Sequence, residues 1–343
     1  MTDISDDPVS AVHTQPPVPT IIIMVITFLV GISGNFLVLW ITGVKMKWTV
    51  NTVWFWNLAV ADIVCCLFLP LSIAQLFYDE WLYSPTLCKV IPIMVHLNMF
   101  SSVFTLVAIS IDRCVLVVQP VWAQNHRSLQ MAWTLCVVIW MLSFLMCLPA
   151  ALHRETFTDF NQTLCGYEYD FMFSDFIDSY DFNITDYFHE EYSEKLQEAH
   201  SILFTITLTR MIFGFLIPLL IISACYVRLT LKVQNIRFLK AGRKTTKVIF
   251  VIVTAFFITW APYHVIGMIL LYAHSSLLNY LNHLSVALAY FNSCINPILY
   301  VFMGKDMKSR VKRTIYGLME NAFSEEVSRS TERTRSNISQ FVS

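Results

Sequence analysis

Apolar residues in this chain gather into long unbroken runs instead of alternating with polar ones. Read with a window of about 20 residues, the helix length that spans a hydrocarbon core, seven runs stand out, near 20–43, 53–77, 90–118, 131–152, 202–227, 247–272 and 283–303. A run such as IIIMVITFLVGISGNFLVLW stays apolar throughout, whereas strands of a membrane barrel alternate over about ten positions. The pattern therefore predicts helices, whose backbone hydrogen bonds close within each segment and ask nothing of the lipid. The expected fold class is an all-α membrane protein, a seven-transmembrane helix bundle.

The polar residues between the runs set its orientation. The stretch from Arg228 to Lys247 holds seven basic residues and no acid, and Lys45, Lys47, Arg127 and the segment Lys305 to Arg313 fall at span ends on the same side. Basic flanks mark the cytoplasmic side. The N-terminal tail, with Asp3, Asp6 and Asp7 and no Lys or Arg, is then outside, the C-terminus is in the cytoplasm, and the expected location is the plasma membrane. No cleavable signal is expected, because the first apolar run is too long for an h-region and has no basic n-region before it. Composition agrees: 56% apolar and 14% charged leaves too little charge to clothe a soluble domain of this size.

These boundaries predict an outside tail at 1–19, a bundle at 20–303 with its second outside loop at about 153–200 and third inner loop at about 228–247, a surface helix at 304–319 and a tail at 320–343. In 304–319, Met307, Val311, Ile315 and Leu318 share one face and basic residues the other, the spacing of a helix lying on membrane lipid. The tail interleaves Ser324, Ser328, Ser330, Thr331, Thr334, Ser336 and Ser339 with charge; it is expected to be disordered and phosphorylated. The outside loop from His153 to His200 carries twelve acids against two basic residues, with sequons at Asn161 and Asn183 that predict glycosylation. The inward sequon at Asn337 is expected to be silent. Most of the nine cysteines sit within spans, as small apolar fillers. Cys88 and Cys165 instead fall at the outer end of the third run and in the outside loop, where an oxidising medium favours a disulfide.

Polar groups inside apolar spans are expensive and point to function. Asn35, Asp62, Asn98, Ser102, Asn292, Ser293 and Asn296 form such a set. Asn98, Ser102 and Arg113 are four and eleven residues apart, close to one and three helical turns, and so share a face. Asn35 reads as a helix-to-helix anchor. Asp62 must either be protonated or hold a cation.

Asn35, the NLAVAD ending in Asp62, Asp112-Arg113-Cys114, Trp140, Pro218 with Tyr226, Trp260-Ala261-Pro262 and the NPILY from Asn296 to Tyr300 fall one group per span and in order. Together they resemble the rhodopsin-type G-protein-coupled receptors over nearly the whole chain. The resemblance implies that Asp62, Asn98, Ser102, Asn292 and Asn296 form an allosteric sodium pocket; a water-filled polar cluster is the alternative. It implies no other cofactor. It makes Arg113 a cytoplasmic switch, held by Asp112 and released towards Tyr226 and Tyr300 as the sixth helix swings out on the kink that Pro262 imposes beside Trp260; Asn296 and Pro297 belong to the same machinery. Cys114 and Thr259 stand where the family often has Tyr and Cys. Receptor kinases and arrestin are the partners implied for the tail, and a heterotrimeric G protein of inhibitory type for the inner face.

Two arginines sit where lipid would reject them. Arg154, at the outer end of the fourth span, reads either as a snorkelling interface residue or as a ligand contact. Arg210, deeper in the fifth, calls for an anionic partner, while the acidic loop attracts cations at long range. Together they predict a basic peptide or small protein with a free C-terminal carboxylate, in a cavity also lined by His96, Tyr263, His264 and Tyr290. The third-span segment LCKVIPIMVHLNMFSSVFTLVAISIDRCVLVVQPVWAQNHR, with PYHVIG, NSCINP and AFSEEVSRST, is similar to the chemoattractant branch of the family, nearest the receptors for complement anaphylatoxins of the third-component type. That likeness implies sulfation of loop tyrosines, here Tyr167, Tyr169, Tyr180, Tyr187 and Tyr192, in a loop shorter than that branch often carries. Where related receptors place an Asp for a ligand's terminal arginine, this chain has Asn282; Asp79, Glu80 or the loop acids could substitute.

The alternatives are a fifth-component anaphylatoxin or formyl-peptide receptor, a non-signalling scavenger, against which Asp112-Arg113 and Asn296-Pro297 argue, and a transporter, which would need paired broken helices and a continuous path of ionisable residues. An enzyme is not expected: the sequence shows no zinc-ligand spacing, intramembrane dyad or phosphate loop. Nucleic acid is not an expected partner.

Overall fold

The structure, a computed structural model, describes residues 18–78, 80–159, 162–169, 172, 186–234, 242–273 and 275–303, and within them all side chains except those at 159, 186–192, 233–234, 242–248 and 298–303. Asp79, Asn161, Asn183, Tyr180, the centre of the third inner loop, the 304–319 segment and the 320–343 tail with its Ser and Thr lie outside the described residues, as do the side chains of Tyr187, Tyr192 and Tyr300.

Seven long helical rods follow the apolar runs. The first is Val18–Trp40, continued by the wide turn Ile41–Lys45. The second, Val50–Leu67, starts at a capping box in which Thr49 and Thr52 each satisfy the other's free backbone N–H, and it breaks at Phe68 before resuming as Leu69–Gln75. Pro70 has no N–H to return to the preceding turn, which accounts for the break. The third span, Pro85–Val118, is capped by Ser84 with Pro at its first position, where a missing N–H costs nothing. A short helix, Pro120–His126, follows on the inner side, and Ser128 caps the fourth span, Leu129–Leu152.

The fifth span runs as Asp186–Met211, the π-helical turn Ile212–Leu216 and Ile217–Gln234. Pro218 cannot bond back to residue 214, and the helix widens there. Its first fifteen residues lie inside the stretch expected to be loop, so the acidic loop ends in a helix that stands above the membrane. The sixth and seventh spans are Gly242–Ile269 and Ser276–Met303. Among the described residues, six helices are long and apolar enough to cross a membrane; the seventh closes the ring by packing against the first and the sixth.

The third span is the hub, in contact with the second, fourth and fifth. Trp54, Met99, Phe100, Phe256 and Trp260 are almost wholly buried, whereas Val137, Met141, Phe144, Leu145 and Leu148 of the fourth span face outward, as a lipid-facing surface should. Two glycines set the packing of the first helix. A Cβ at Gly31 would lie 2.7 Å from Cys66 Sγ, and one at Gly34 would lie 2.9 Å from Pro297 Cβ, so both helices approach closer there than any side chain allows.

After the fourth span the chain forms an antiparallel hairpin, Arg154–Asp159 with Gln162–Tyr167, pairing Arg154 with Tyr167 and Thr156 with Cys165. A disulfide joins Cys165 to Cys88 with the Cα atoms 5.7 Å apart, which pins the hairpin to the top of the third helix.

Candidate ligand cavity and cytoplasmic switch

Beneath the hairpin lies a cavity of about 560 Å³ whose wall includes His96, Arg154, Arg210, Tyr263, Asn282 and Tyr290. They converge from the third, fifth, sixth and seventh helices and, for Arg154, from the hairpin strand, at the level where the rods separate. At the floor, three groups close a triangle. Arg210 Nη1 donates to the Tyr263 hydroxyl at 2.7 Å and lies 3.0 Å from His96 Nε2, while the Tyr263 hydroxyl is 2.7 Å from the same nitrogen. The guanidinium also stacks over the Tyr263 ring at 4.6 Å. Its remaining donors meet no carboxylate among the described cavity residues. A fixed guanidinium with spare N–H groups is a receptor for a planar anion.

Arg154 is tied to the disulfide. Its Nε donates to the Cys88 carbonyl at 3.2 Å and its Nη2 to that of Cys165 at 3.4 Å, and the guanidinium lies 5.4 Å from the Tyr167 ring centre. The side chain therefore borders the cavity instead of snorkelling to the interface. Tyr290 is buried, with its hydroxyl 3.0 Å from Ser72 Oγ. Asn282 is half-buried at the rim.

His264 is placed otherwise than expected. It is 2% exposed and packs against Phe215 and Trp260, with ring centres 5.2 and 6.4 Å away, behind the cavity wall. Consecutive helical residues point about 100° apart, so Tyr263 takes the cavity position. Tyr169 also needs correction as a sulfation candidate. It is 6% exposed, with its ring packed edge-on against His200 at 5.1 Å, and a sulfating enzyme needs a tyrosine in solvent. Tyr167 forms part of the cavity wall.

Below the cavity, Trp260 is fully buried between Phe256 and Tyr263, at 5.9 and 5.7 Å, two residues before Pro262. Deeper still sits the polar cluster. Asn296 Nδ2 donates to Asp62 Oδ2 at 2.9 Å, Asn98 Nδ2 to Ser293 Oγ at 3.0 Å, and Ser102 Oγ to Asn98 Oδ1 at 3.3 Å. The Thr259 hydroxyl lies 3.5 Å from Asn292 Oδ1. Asn35 donates to the Gly31 and Ser293 carbonyls at 2.9 and 2.8 Å, the helix anchor expected of it. Asp62 is wholly buried and its Oδ1 has no hydrogen-bond partner. A bare carboxylate oxygen among neutral oxygen donors fits a small hard cation such as sodium, and it equally fits a proton.

At the inner end, Asp112 serves two arginines. Its carboxylate is 3.1 Å from Arg113 Nη2 and 2.7 Å from Arg127 Nε, and Asn51 Oδ1 accepts from both guanidinium groups. The Tyr226 hydroxyl is unpartnered, with its ring 5.5 Å from Phe250. Sequence reading missed Arg127 and Asn51. In the sequence Arg127 is only one of the basic flanks that set orientation, and neither position carries a signal linking it to Asp112 until the helices pack.

The chain matches the model for 7 transmembrane receptors of the rhodopsin family over residues 34–188 and 189–300. It belongs to that family. It is a receptor fold and not an enzyme. It is 44% identical to the C3a anaphylatoxin chemotactic receptor of Oncorhynchus mykiss over 92% of this chain and 82% of that protein. The human receptor of the same name is 31% identical over 97% of this chain and 96% of its own length. The C5a anaphylatoxin chemotactic receptor 1 of Oryctolagus cuniculus is 37% identical over 89% of this chain and 82% of that protein.

Proposed function

We propose that this chain is a plasma-membrane receptor for a complement anaphylatoxin of the C3a type, driving chemotaxis and inflammation through an inhibitory-type heterotrimeric G protein. One observation carries the ligand chemistry: Arg210, braced by His96 and Tyr263 at the cavity floor, presents spare donors where a peptide C-terminus descending between the helices would arrive. Arg154, hung from the disulfide, supplies the second positive group. Acids of the outside loop draw in the basic body of the ligand. The disulfide side faces the medium, and the Asp112–Arg113–Arg127 cluster faces the cytoplasm. Occupation displaces Trp260, the sixth helix swings on Pro262, and Arg113 is released; sodium beside Asp62 favours the unoccupied arrangement. Phosphorylated Ser and Thr of the tail recruit arrestin.

The test is inhibitory G-protein activation in cells expressing the chain, challenged with C3a, C3a lacking its terminal arginine, C5a and a formyl peptide. C3a is expected to be the most potent, and Arg210→Ala to weaken it about tenfold or more, the loss of a charge-assisted hydrogen bond. A response to formyl peptide alone overturns the ligand; full potency in Arg210→Ala overturns the carboxylate grip. The likeness to the rabbit C5a receptor makes C5a the second reading.

A further inference from the structure

His96 and Arg210 border a second space. A slot of about 70 Å³ opens between the third, fourth and fifth spans, walled by Phe100, Met146, Ala150 and Ile206 with Thr205 and Thr209 at its edge. Thr205 is exposed on the outer surface of the bundle, so the slot opens sideways towards lipid. Two of the residues that wall it, Arg210 and His96, carry buried donors that nothing satisfies. Arg210 Nε has no partner. Arginine cannot accept a hydrogen bond, so His96 Nε2, 3.0 Å from Arg210 Nη1, must be the acceptor of that contact, and the ring proton sits on Nδ1. His96 is 5% exposed and its Nδ1 is also unpartnered. Buried donors without acceptors are costly, and here both belong to residues that wall an apolar slot open to the membrane.

We infer that this slot takes the carboxylate of a long-chain free fatty acid, with its tail lying along the lipid face between the fourth and fifth spans. The headgroup accepts from Arg210 and His96. The apolar walls suit the first methylenes, and the small volume excludes a phosphodiester with its two ester arms. Because Arg210 borders both spaces, a carboxylate on its Nε edge draws the guanidinium away from the cavity floor, and occupancy lowers affinity for the peptide. This regulatory half rests on the proposed role of Arg210 in ligand binding; the slot itself does not.

Purified receptor in phosphatidylcholine nanodiscs, titrated with radiolabelled oleate, is expected to bind it saturably, and oleyl alcohol, with the same tail and no carboxylate, to compete at least about tenfold less well. Arg210→Gln and Thr205→Phe, the latter closing the mouth from the lipid side, should each weaken oleate binding about tenfold. The unfolding midpoint reports that each variant is folded, and Thr209→Leu replaces Thr205→Phe if that one is not. Non-saturable uptake, equal competition by oleyl alcohol, or indifference to every folded variant overturns the proposal. Oleate is further expected to raise the Kd of a labelled C3a C-terminal peptide. Oleate binding with unchanged peptide affinity overturns the regulatory half; oleate binding by a receptor that recognises no anaphylatoxin overturns the functional reading and leaves the slot standing.

Discussion

Asp112 is 7% exposed at its side chain and shares its one negative charge between two guanidinium groups. Removing one partner of such a cluster leaves uncompensated buried charge, a cost of about 3 kcal/mol or more. Asp112→Asn is therefore expected to free Arg113 and raise ligand-free nucleotide exchange on the G protein about tenfold or more, measured in membranes matched for receptor number; unchanged basal exchange would count against the restraint. Arg127→Gln should raise it less, because the Asp112–Arg113 contact survives. Asp112 and Arg113 were legible in the sequence as adjacent charges closing an apolar run. Their bracing was not: Arg127 comes back to Asp112 only after the chain turns at Pro120, and Asn51 arrives from the second helix. The same limit separates Tyr263 from His264. Both are aromatic residues near the outer part of the sixth span, and only the rotation of that helix, fixed where Phe215 of the fifth span packs against Phe257 and His264, decides which one meets a ligand.

Helices were legible wherever an apolar run had the length of the membrane, because lipid leaves the backbone no other way to bond. The upper fifth helix was not, since residues 186–200 are acidic and carry no apolar run; it continues a rod already nucleated below. The hairpin escaped for a different reason: its register follows from the disulfide and from the fourth helix ending at Leu152. Close approach between elements leads to another prediction. With Pro297 2.9 Å from a Cβ at position 34 and a rigid ring unable to yield, Gly34→Ala should destabilise the packing of the first helix on the seventh by about 1–3 kcal/mol, read as a lower unfolding midpoint of purified receptor. An unchanged midpoint would mean that the two helices have room to part.

For the whole molecule, the order from outside to inside is a cavity with two arginines, a buried tryptophan, a polar cluster round Asp62 and an arginine switch, one above the other along the third, sixth and seventh helices. The disulfide tops this column, and Arg154 hangs from the two carbonyls that flank it. Mild thiol treatment should therefore blunt ligand capture before it melts anything. Once the Cys88–Cys165 link opens, the crossbeam that holds the upper guanidinium sags, and the grip on a peptide's end slackens while the rods stay upright. Dose–response curves taken with dithiothreitol would then shift to higher ligand concentration at a concentration of reductant that leaves the helical circular dichroism signal intact.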